Sequence, residues 1–362
     1  MSANRPPTEA DFNTLRPMVN LPPSVTNRKT NEHPVASLTV LTYNILAQDH
    51  IYRDSYPYCA KDTLKWKQRK ILLSTELAAY DADIMCFQEM DRFHDHFQPL
   101  LSRLGYDTRY YMRNGPKSDV NCVCWKRNCF TLVESRQVSF EGTTAGLGAV
   151  PNVAQFCALQ SIGNPEVRVV VATTHLYWRM ECDHIRLVQL HSLVTELLAF
   201  CATLNDGKGQ FIPIIAGDLN SDPDSMAVQA ALRSNFLMDP LNFNTILERS
   251  QMSPSVLRQI LSDFTVKWPC FYDAHKDYPS VFPGATGYPL PYTSFSHYKG
   301  ILDFIMYNQY RPDSQMRITP TALRILPERH ILEIESALPN RMFASDHLAL
   351  MVEFTVFQSH RE

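Results

Sequence analysis

Phe211-Ile212-Pro213-Ile214-Ile215-Ala216-Gly217-Asp218-Leu219-Asn220-Ser221 is an apolar run that breaks at a glycine into a short polar loop. The run has the length and composition of a buried strand. The loop sets a carboxylate and a carboxamide two residues apart, so on extended backbone Asp218 and Asn220 project to the same side. Alone, an Asp-x-Asn loop is most often a helix cap or an Asx turn. Its weight comes from recurrence along the chain. Ser345-Asp346-His347 adjoins a second apolar run at 348–356. Asn44 lies near the end of run 38–46, Glu89 follows 83–87, His175 follows 167–174, and Asp303 lies in 301–307.

Polar groups gathered at strand ends converge on one rim of a sandwich while the strand bodies make its core. Further strands are predicted at 108–112, 121–125 and 155–160. Amphipathic helices are predicted at 64–80, with Leu64, Ile71, Leu72 and Ala78 on one face, and at 185–204, where Leu187, Leu190, Val194, Leu197 and Cys201 repeat at helical spacing. Residues 1–36 carry Pro6, Pro7, Pro17, Pro22, Pro23 and Pro34 among polar residues, a composition that cannot bury a core of its own, and are read as a flexible leader. Residues 37–362 are then a single catalytic domain. Within it, 239–298 is rich in proline and aromatics and reads as a long irregular binding loop, lid or insertion, with a helix near 255–264.

The chain has 362 residues and a formal net charge of −3, so it has no bulk basic charge for coating nucleic acid and must hold any anionic substrate locally. Nine scattered cysteines, an odd number without a repeated Cys-x-x-Cys, argue against a disulfide framework or a structural zinc site. Cys86, Cys122 and Cys124 sit in apolar runs and read as buried thiols. There is no signal-peptide core in 1–36 and no apolar run of membrane-spanning length. An intracellular protein is expected, cytoplasmic or nuclear or both, with no membrane partner.

Asn44, Glu89, His175, Asp218, Asn220, Asp303, Asp346 and His347 suit one chemistry. Phosphodiester hydrolysis requires a water nucleophile, charge relief for the phosphoryl oxygens and help for the departing oxygen. Carboxylates and Asn carbonyls are hard ligands for Mg²⁺, with Mn²⁺ as a substitute. Glu89 is the natural metal anchor with Asn44 beside it. Asp218 and Asn220 serve to orient water and to donate to phosphate. His347 contacts phosphate, with Asp303 fixing its tautomer. Each residue also has a plain reading: Asn44 as a turn residue, Glu89 as a helix-start carboxylate, His175 as a core histidine, Asp303 as a structural acceptor. Arg109, Arg113 and Lys117, beside Tyr110 and Tyr111, read equally as a grip on single-stranded RNA or as a solvated strand edge.

These residues occur in motifs that resemble the endonuclease/exonuclease/phosphatase superfamily. The motifs are Thr42-Tyr43-Asn44-Ile45-Leu46-Ala47-Gln48, Leu64-Lys65-Trp66 with Arg69, Phe87-Gln88-Glu89, Thr174-His175-Leu176-Tyr177-Trp178, Gly217 to Ser221, Lys299-Gly300-Ile301-Leu302-Asp303-Phe304-Ile305 and Ser345-Asp346-His347. Within the superfamily they are most similar to the deadenylase-like group of carbon-catabolite-repression nucleases, nocturnin, angel and Ngl proteins, closest to the Ngl and angel branch. The resemblance implies an α/β fold, a two-sheet sandwich with outer helices. It implies a Mg²⁺-dependent 3′-to-5′ exoribonuclease that releases 5′-nucleotides, with poly(A) or other single-stranded RNA 3′ ends as substrate. It assigns Glu89, Asn44 and Asp346 to metal, Asp218 and Asn220 to water and phosphate, Asp303 to the support of His347, and His175 to phosphate contact or site support. Tyr298, with Phe295 as the fallback, matches the aromatic that stacks on a terminal base. Two departures stand out: no leucine-rich repeat for partner docking precedes the domain, and Asp119-Val120-Asn121-Cys122 replaces the family's Asp-Gly-Cys-Ala. The alternative functions are a phosphatase or phosphodiesterase acting on a small nucleotide, and a catalytically silent RNA-binding protein.

Overall fold

The computed structural model describes residues 5–26, 32–52, 54–113, 119–141, 150–204, 211–232, 238–250, 252–282, 290–308 and 316–359. In chain order the strands are β1 (Met18–Asn20), β2 (Glu32–Asn44), β3 (Ile84–Met90), β4 (Tyr106–Met112), β5 (Val120–Lys126), β6 (Phe130–Ser139), β7 (Val153–Ser161), β8 (Arg168–Thr174), β9 (Ile212–Asp218), β10 (Tyr272–Asp273), β11 (Ser294–Phe295), β12 (Lys299–Gly300), β13 (Asp303–Tyr307), β14 (Met316–Arg324) and β15 (Leu350–Ser359). One sheet has the order β1-β14-β15-β2-β3-β5-β4 and the other β10-β13-β9-β8-β7-β6, while β11 and β12 form a two-stranded ribbon. Helices flank the sheets: α1 (Glu9–Leu15), α2 (Pro23–Thr26), α3 (Trp66–Tyr80), α4 (Gln98–Arg103), α5 (Asp183–Thr203), α6 (Met226–Leu232), α7 (Pro240–Ser250), α8 (Pro254–Ser262) and α9 (Arg329–Leu332). This is the expected two-sheet α/β sandwich.

Each sheet contains one parallel pair, β2 with β3 and β8 with β9, and is otherwise antiparallel. Parallel neighbours end at the same rim, so Asn44, Glu89, Thr174 and Asp218 are delivered to one edge of the sandwich. The antiparallel partners begin there: Asp303 pairs with Asp218, and Leu350, three residues beyond His347, pairs with Thr42. Between the sheets lies one continuous apolar core that includes Phe87, Val123, Phe156, Val170, Ile215, Ile305 and Phe354.

Helix α5 buries Leu187, Leu190, Val194, Leu197 and Cys201, the predicted stripe, against sheet strands and α6. By length and composition it is apolar enough to cross a membrane, but its apolar face is used up in this core. Helix α3 turns a different face inward from the predicted one. Arg69, Leu72, Leu73, Glu76, Leu77 and Tyr80 are buried, while Ile71 is exposed. An apolar count misses this face because two charged residues lie on it. Glu76 accepts from the hydroxyls of Tyr43 (2.9 Å) and Tyr80 (2.7 Å), and Arg69 donates to loop carbonyls.

Two segments depart from expectation. The supposed leader is packed where it is described: Phe12 is fully buried, edge-on to Tyr80 and Phe343, and Met18–Asn20 extends the first sheet by pairing with β14. Arg16 is buried with it, donating to the Tyr80 hydroxyl (2.9 Å) and to the carbonyls of Ala349 and Ile325, beside Glu76. Composition rules out a core within this segment, but not docking of its few anchors onto the core of the domain. The second departure is 239–298, which contains the expected helix, α8, but also α7 and β10, the last paired to β13. Cys86, Cys122 and Cys124 are buried as expected.

Candidate active site

Local backbone aims the side chains into the rim. At the end of β3 the register with β5 shifts between Phe87 and Met90, and Glu89 takes φ +55°, so this bulge turns its carboxylate off the strand. Left-handed backbone at a non-glycine residue is costly and is retained mainly where it positions a functional group. Buried Gln88 donates to Thr42 (3.1 Å) on its own sheet and to Thr173 (2.8 Å) on the other, which pins the two sheets at this rim. Gly217 lies so close to β8 that a Cβ there would stand 2.3 Å from the Thr174 carbonyl oxygen. Ser345 donates to the Asn44 carbonyl (2.7 Å) and accepts from the His347 N–H (3.1 Å), tying Ser345-Asp346-His347 to the end of β2. Buried Arg69 reinforces that tie through the carbonyls of Ala344 and Ile45 (both 2.8 Å) and the side chain of Gln48 (3.0 Å).

The converging groups form a continuous polar network. The Asn44 amide donates to Asp218 Oδ2 (2.9 Å) and Glu89 Oε1 (3.2 Å). His175 lies between the same two carboxylates, at 3.6 Å from Asp218 and 3.9 Å from Glu89. His347 meets Asp303 Oδ2 through Nδ1 (2.8 Å) and faces Asp218 Oδ2 through Nε2 (3.8 Å). Asp346 accepts from the Tyr56 hydroxyl (2.9 Å). Burial alone would lower the His347 pKa, but Asp303, Asp218 and Asp346 together hold it well above the ordinary histidine value, so the ring is a cation at neutral pH. Burial raises Asp218, and repulsion from Asp303 adds to that against the pull of His175 and His347. Burial likewise raises Asp346, with Glu89 adding to it. Burial would also raise Glu89, but the His50 hydrogen bond and the charges of His175 and His50 outweigh it and hold Glu89 well below the usual carboxylate range.

The family described as Endonuclease/Exonuclease/phosphatase matches residues 41–347, a span that contains this entire network. The chain belongs to that family. It is 27% identical to nocturnin of Mus musculus over 377 aligned positions, covering 99% of this chain and 72% of that protein. It is 34% identical to protein angel homolog 2 of Bos taurus over 196 positions, covering 52% of this chain and 35% of that protein. Among solved structures, ANGEL2, described as a 2′,3′-cyclic phosphatase, superposes with a TM-score of 0.74 at 23% identity, covering 94% of this chain and 97% of that one. The human nocturnin catalytic domain with bound sulfate gives 0.64 at 24% identity, covering 98% and 100%. The structural likenesses show the fold, and the family match places the chain among hydrolases of nuclease and phosphatase type.

Enzymes of the endonuclease/exonuclease/phosphatase family generally depend on divalent metals, and the residues here fit such an ion. Asp303 Oδ1 is buried with no hydrogen-bond partner among the described residues, and Asp218, Asp303 and His347 bring ligand atoms within 4.8 Å of one another. His347 aims both ring nitrogens at carboxylates, and as a cation it is a donor with no free lone pair. Glu89 and Asp346 extend the oxygen-rich wall on the other side of Asn44. The set is the hard-oxygen kind that Mg²⁺ and Mn²⁺ prefer.

The family's motif residues do not all take the positions expected for them. Asn220 is in left-handed backbone (φ +47°), so it does not share a side with Asp218. Its N–H donates to Asp218 Oδ1 (2.8 Å) and its amide to the Leu176 carbonyl (2.9 Å), so it fixes the loop after β9. Phe295 is buried under Lys299 and Tyr292 and has no face for a base. Tyr298 is half-buried; its hydroxyl donates to Asp222 and its ring covers Gly300, where a Cβ would strike it. Arg109 is exposed near the middle of β4, away from the rim, beside a separate pocket with Arg127 and Phe130. Arg113 reaches the site by a route the sequence did not suggest: it pairs with Asp119 (2.6 Å) and adjoins His50 (3.2 Å). Lys117 lies outside the described residues. His50 itself was missed. It bonds Glu89 Oε2 at 2.6 Å and faces Asp119 at 3.5 Å; burial opposes its charge, but these two carboxylates raise its pKa to about 9. Nothing in Gln48-Asp49-His50 marks that contact, which depends on a loop folding back over β3.

Proposed function

We propose that this chain is a Mg²⁺-dependent 3′-to-5′ exoribonuclease that removes 5′-nucleotides from the 3′ end of single-stranded RNA, poly(A) included, in an intracellular setting suited to its nine free thiols. The observation that carries the reading is the Asp303–His347–Asp218 array beside Glu89 and Asn44 on one rim of the sandwich. Asp218, its pKa raised by burial, is the group to orient the attacking water and take its proton as the water oxygen bonds to phosphorus. The bond from phosphorus to the 3′ oxygen of the preceding nucleotide breaks, its electron pair going to that oxygen, which takes a proton from solvent water to leave as the new 3′ hydroxyl. His347, held as a cation and aligned by Asp303, faces the phosphoryl oxygens on which charge develops. His175 supports the same phosphate between Glu89 and Asp218. Glu89, with Asn44 and Asp346 beside it, would hold the divalent ion, which would neutralise phosphate charge. Mn²⁺ is expected to substitute.

The test is release of mononucleotides from a 3′-hydroxyl RNA oligomer in Mg²⁺ by the wild type and by Asp218→Ala. Equal rates would sink the assignment. One second reading has a specific observation behind it: the likeness to the angel proteins, one of which is described as a 2′,3′-cyclic phosphatase. On that reading the same array opens a cyclic phosphate on a small nucleotide. Rates on a nucleoside 2′,3′-cyclic phosphate and on the RNA oligomer, measured side by side, separate the two.

A further inference from the structure

The segment after His175 presents its side chains in an unusual way. Buried Arg186 on α5 gathers three nearby carbonyls, those of Tyr177 (3.2 Å), Arg179 and Met180 (2.9 Å), and Gln189 accepts the Tyr177 N–H (3.0 Å). Gln189 is fixed in turn by Asn152, which also holds the His175 carbonyl (2.8 Å). The backbone from the site histidine to Met180 is therefore clamped from below. The side chains of Trp178, Arg179 and Met180 are turned out to solvent, with Trp178 64% exposed and Met180 58% exposed. The chain has four tryptophans, and the other three are buried or half-buried. The Arg179 guanidinium lies 5.5 Å from the Trp178 ring centroid and is itself exposed. A fixed backbone that exposes a large aromatic beside a cation is preorganised for a flat, anionic partner.

We infer that Trp178 and Arg179 form a ledge on which a base adjoining the scissile phosphate stacks, with Arg179 against a flanking phosphate. This rests on the nuclease reading above. Trp178 is three residues from His175, a backbone reach of at most about 11 Å, so only nucleotides next to the reacting phosphate come over it. Stacking on an aromatic face tolerates any base, which suits an exonuclease advancing along a strand.

The test compares Trp178→Ala and Trp178→Phe with the wild type on a short 3′-hydroxyl RNA and on glycerophosphocholine, a diester without bases or any aromatic ring. Trp178→Ala is expected to raise KM for RNA about tenfold, a mid-range value for one stacked base, and Trp178→Phe to restore most of it. Because the small diester has no base to stack, the KM increase should be confined to RNA. Arg179→Gln should reduce the slope of log KM against log salt by about 0.7, one phosphate contact on a single strand. Ile162→Ala, an exposed apolar residue at the opposite end of the second sheet, is the control that leaves both substrates unaffected. Unchanged KM for RNA in Trp178→Ala, or an equal rise on both substrates, overturns the ledge alone. A wild type that cleaves the diester and leaves RNA intact overturns the ledge and the nuclease reading together.

Discussion

Gly217→Ala tests how closely the two halves of the site are set. The added Cβ falls 2.3 Å from the Thr174 carbonyl oxygen, 3.0 Å from its nitrogen and 3.3 Å from its carbonyl carbon. All three are backbone atoms of a paired strand, so no side chain can swing aside. Restoring an ordinary contact of about 3.4 Å requires the ends of β8 and β9 to part by about 1 Å. Those ends carry His175 and Asp218, which pair across the bridge one residue further on. Overpacking of this kind costs about 1–3 kcal/mol, a fall of a few degrees in melting temperature for a domain of this size. Catalysis is affected more, because a displacement of about 1 Å in an aligned site costs about 100-fold in rate. The assay is kcat/KM on the RNA oligomer with a thermal melt followed by circular dichroism. Gly163→Ala is the matched control, since the nearest atom to its Cβ is 4.0 Å away. If Gly217→Ala retained activity within threefold of wild type, the close approach would not govern the alignment of Asp218 and the reasoning would be refuted.

Asp303→Asn removes the carboxylate that most strongly favours the His347 cation, so kcat should fall by about 100-fold or more, and the alkaline limb of the pH–rate profile should move to lower pH. An unshifted limb would deny the pair its role. Phe12→Ala should destabilise the protein by about 3–5 kcal/mol in urea unfolding, the range for a buried phenylalanine, whereas a flexible leader would register no change. His275 is fully buried, both ring nitrogens lack hydrogen-bond partners among the described residues, and burial, with the Arg16 charge adding to it, lowers its pKa to about 3. Below pH 6.5 the unfolded chain protonates this histidine and the native state does not, so stability is full above that pH and falls as the pH drops towards 3. The loss between pH 7 and 5 is about 2 kcal/mol. His275→Leu should remove that part of the acid sensitivity, measured by urea unfolding at the two pH values.

The sandwich was legible because its strands are apolar runs whose period is local. Two of the longer strands, β6 and β14, escaped for physical reasons. β6 is an edge strand with little burial and many polar residues, and β14 carries Pro320, which ordinarily argues against a strand and is accommodated at a register shift between Pro320 and Ala322. The leader and, outside its predicted helix α8, the 239–298 segment were misread because proline content reports on what a segment can do alone. It is silent on docking against a core supplied from elsewhere, as Phe12 and Arg16 do.

By itself, the sequence picked out most of the groups that converge at the candidate site. Asn44, Glu89, His175, Asp218, Asp303, Asp346 and His347 each sit at a strand end, and a strand end is readable from hydrophobic pattern within ten residues. Which of these groups touch one another was decided by tertiary structure, since Asn44 and Asp218 are 174 residues apart and His347 and Asp303 are 44 apart. The parallel pairs in both sheets bring them to one rim. That convergence also recruited His50 and Arg113, diverted the Asn220 amide to a backbone carbonyl and buried Phe295. A side chain's partners depend on the direction of its Cα–Cβ bond in the packed structure. A one-residue bulge at Glu89 or left-handed backbone at Asn220 redirects that bond and leaves no mark in the residue types.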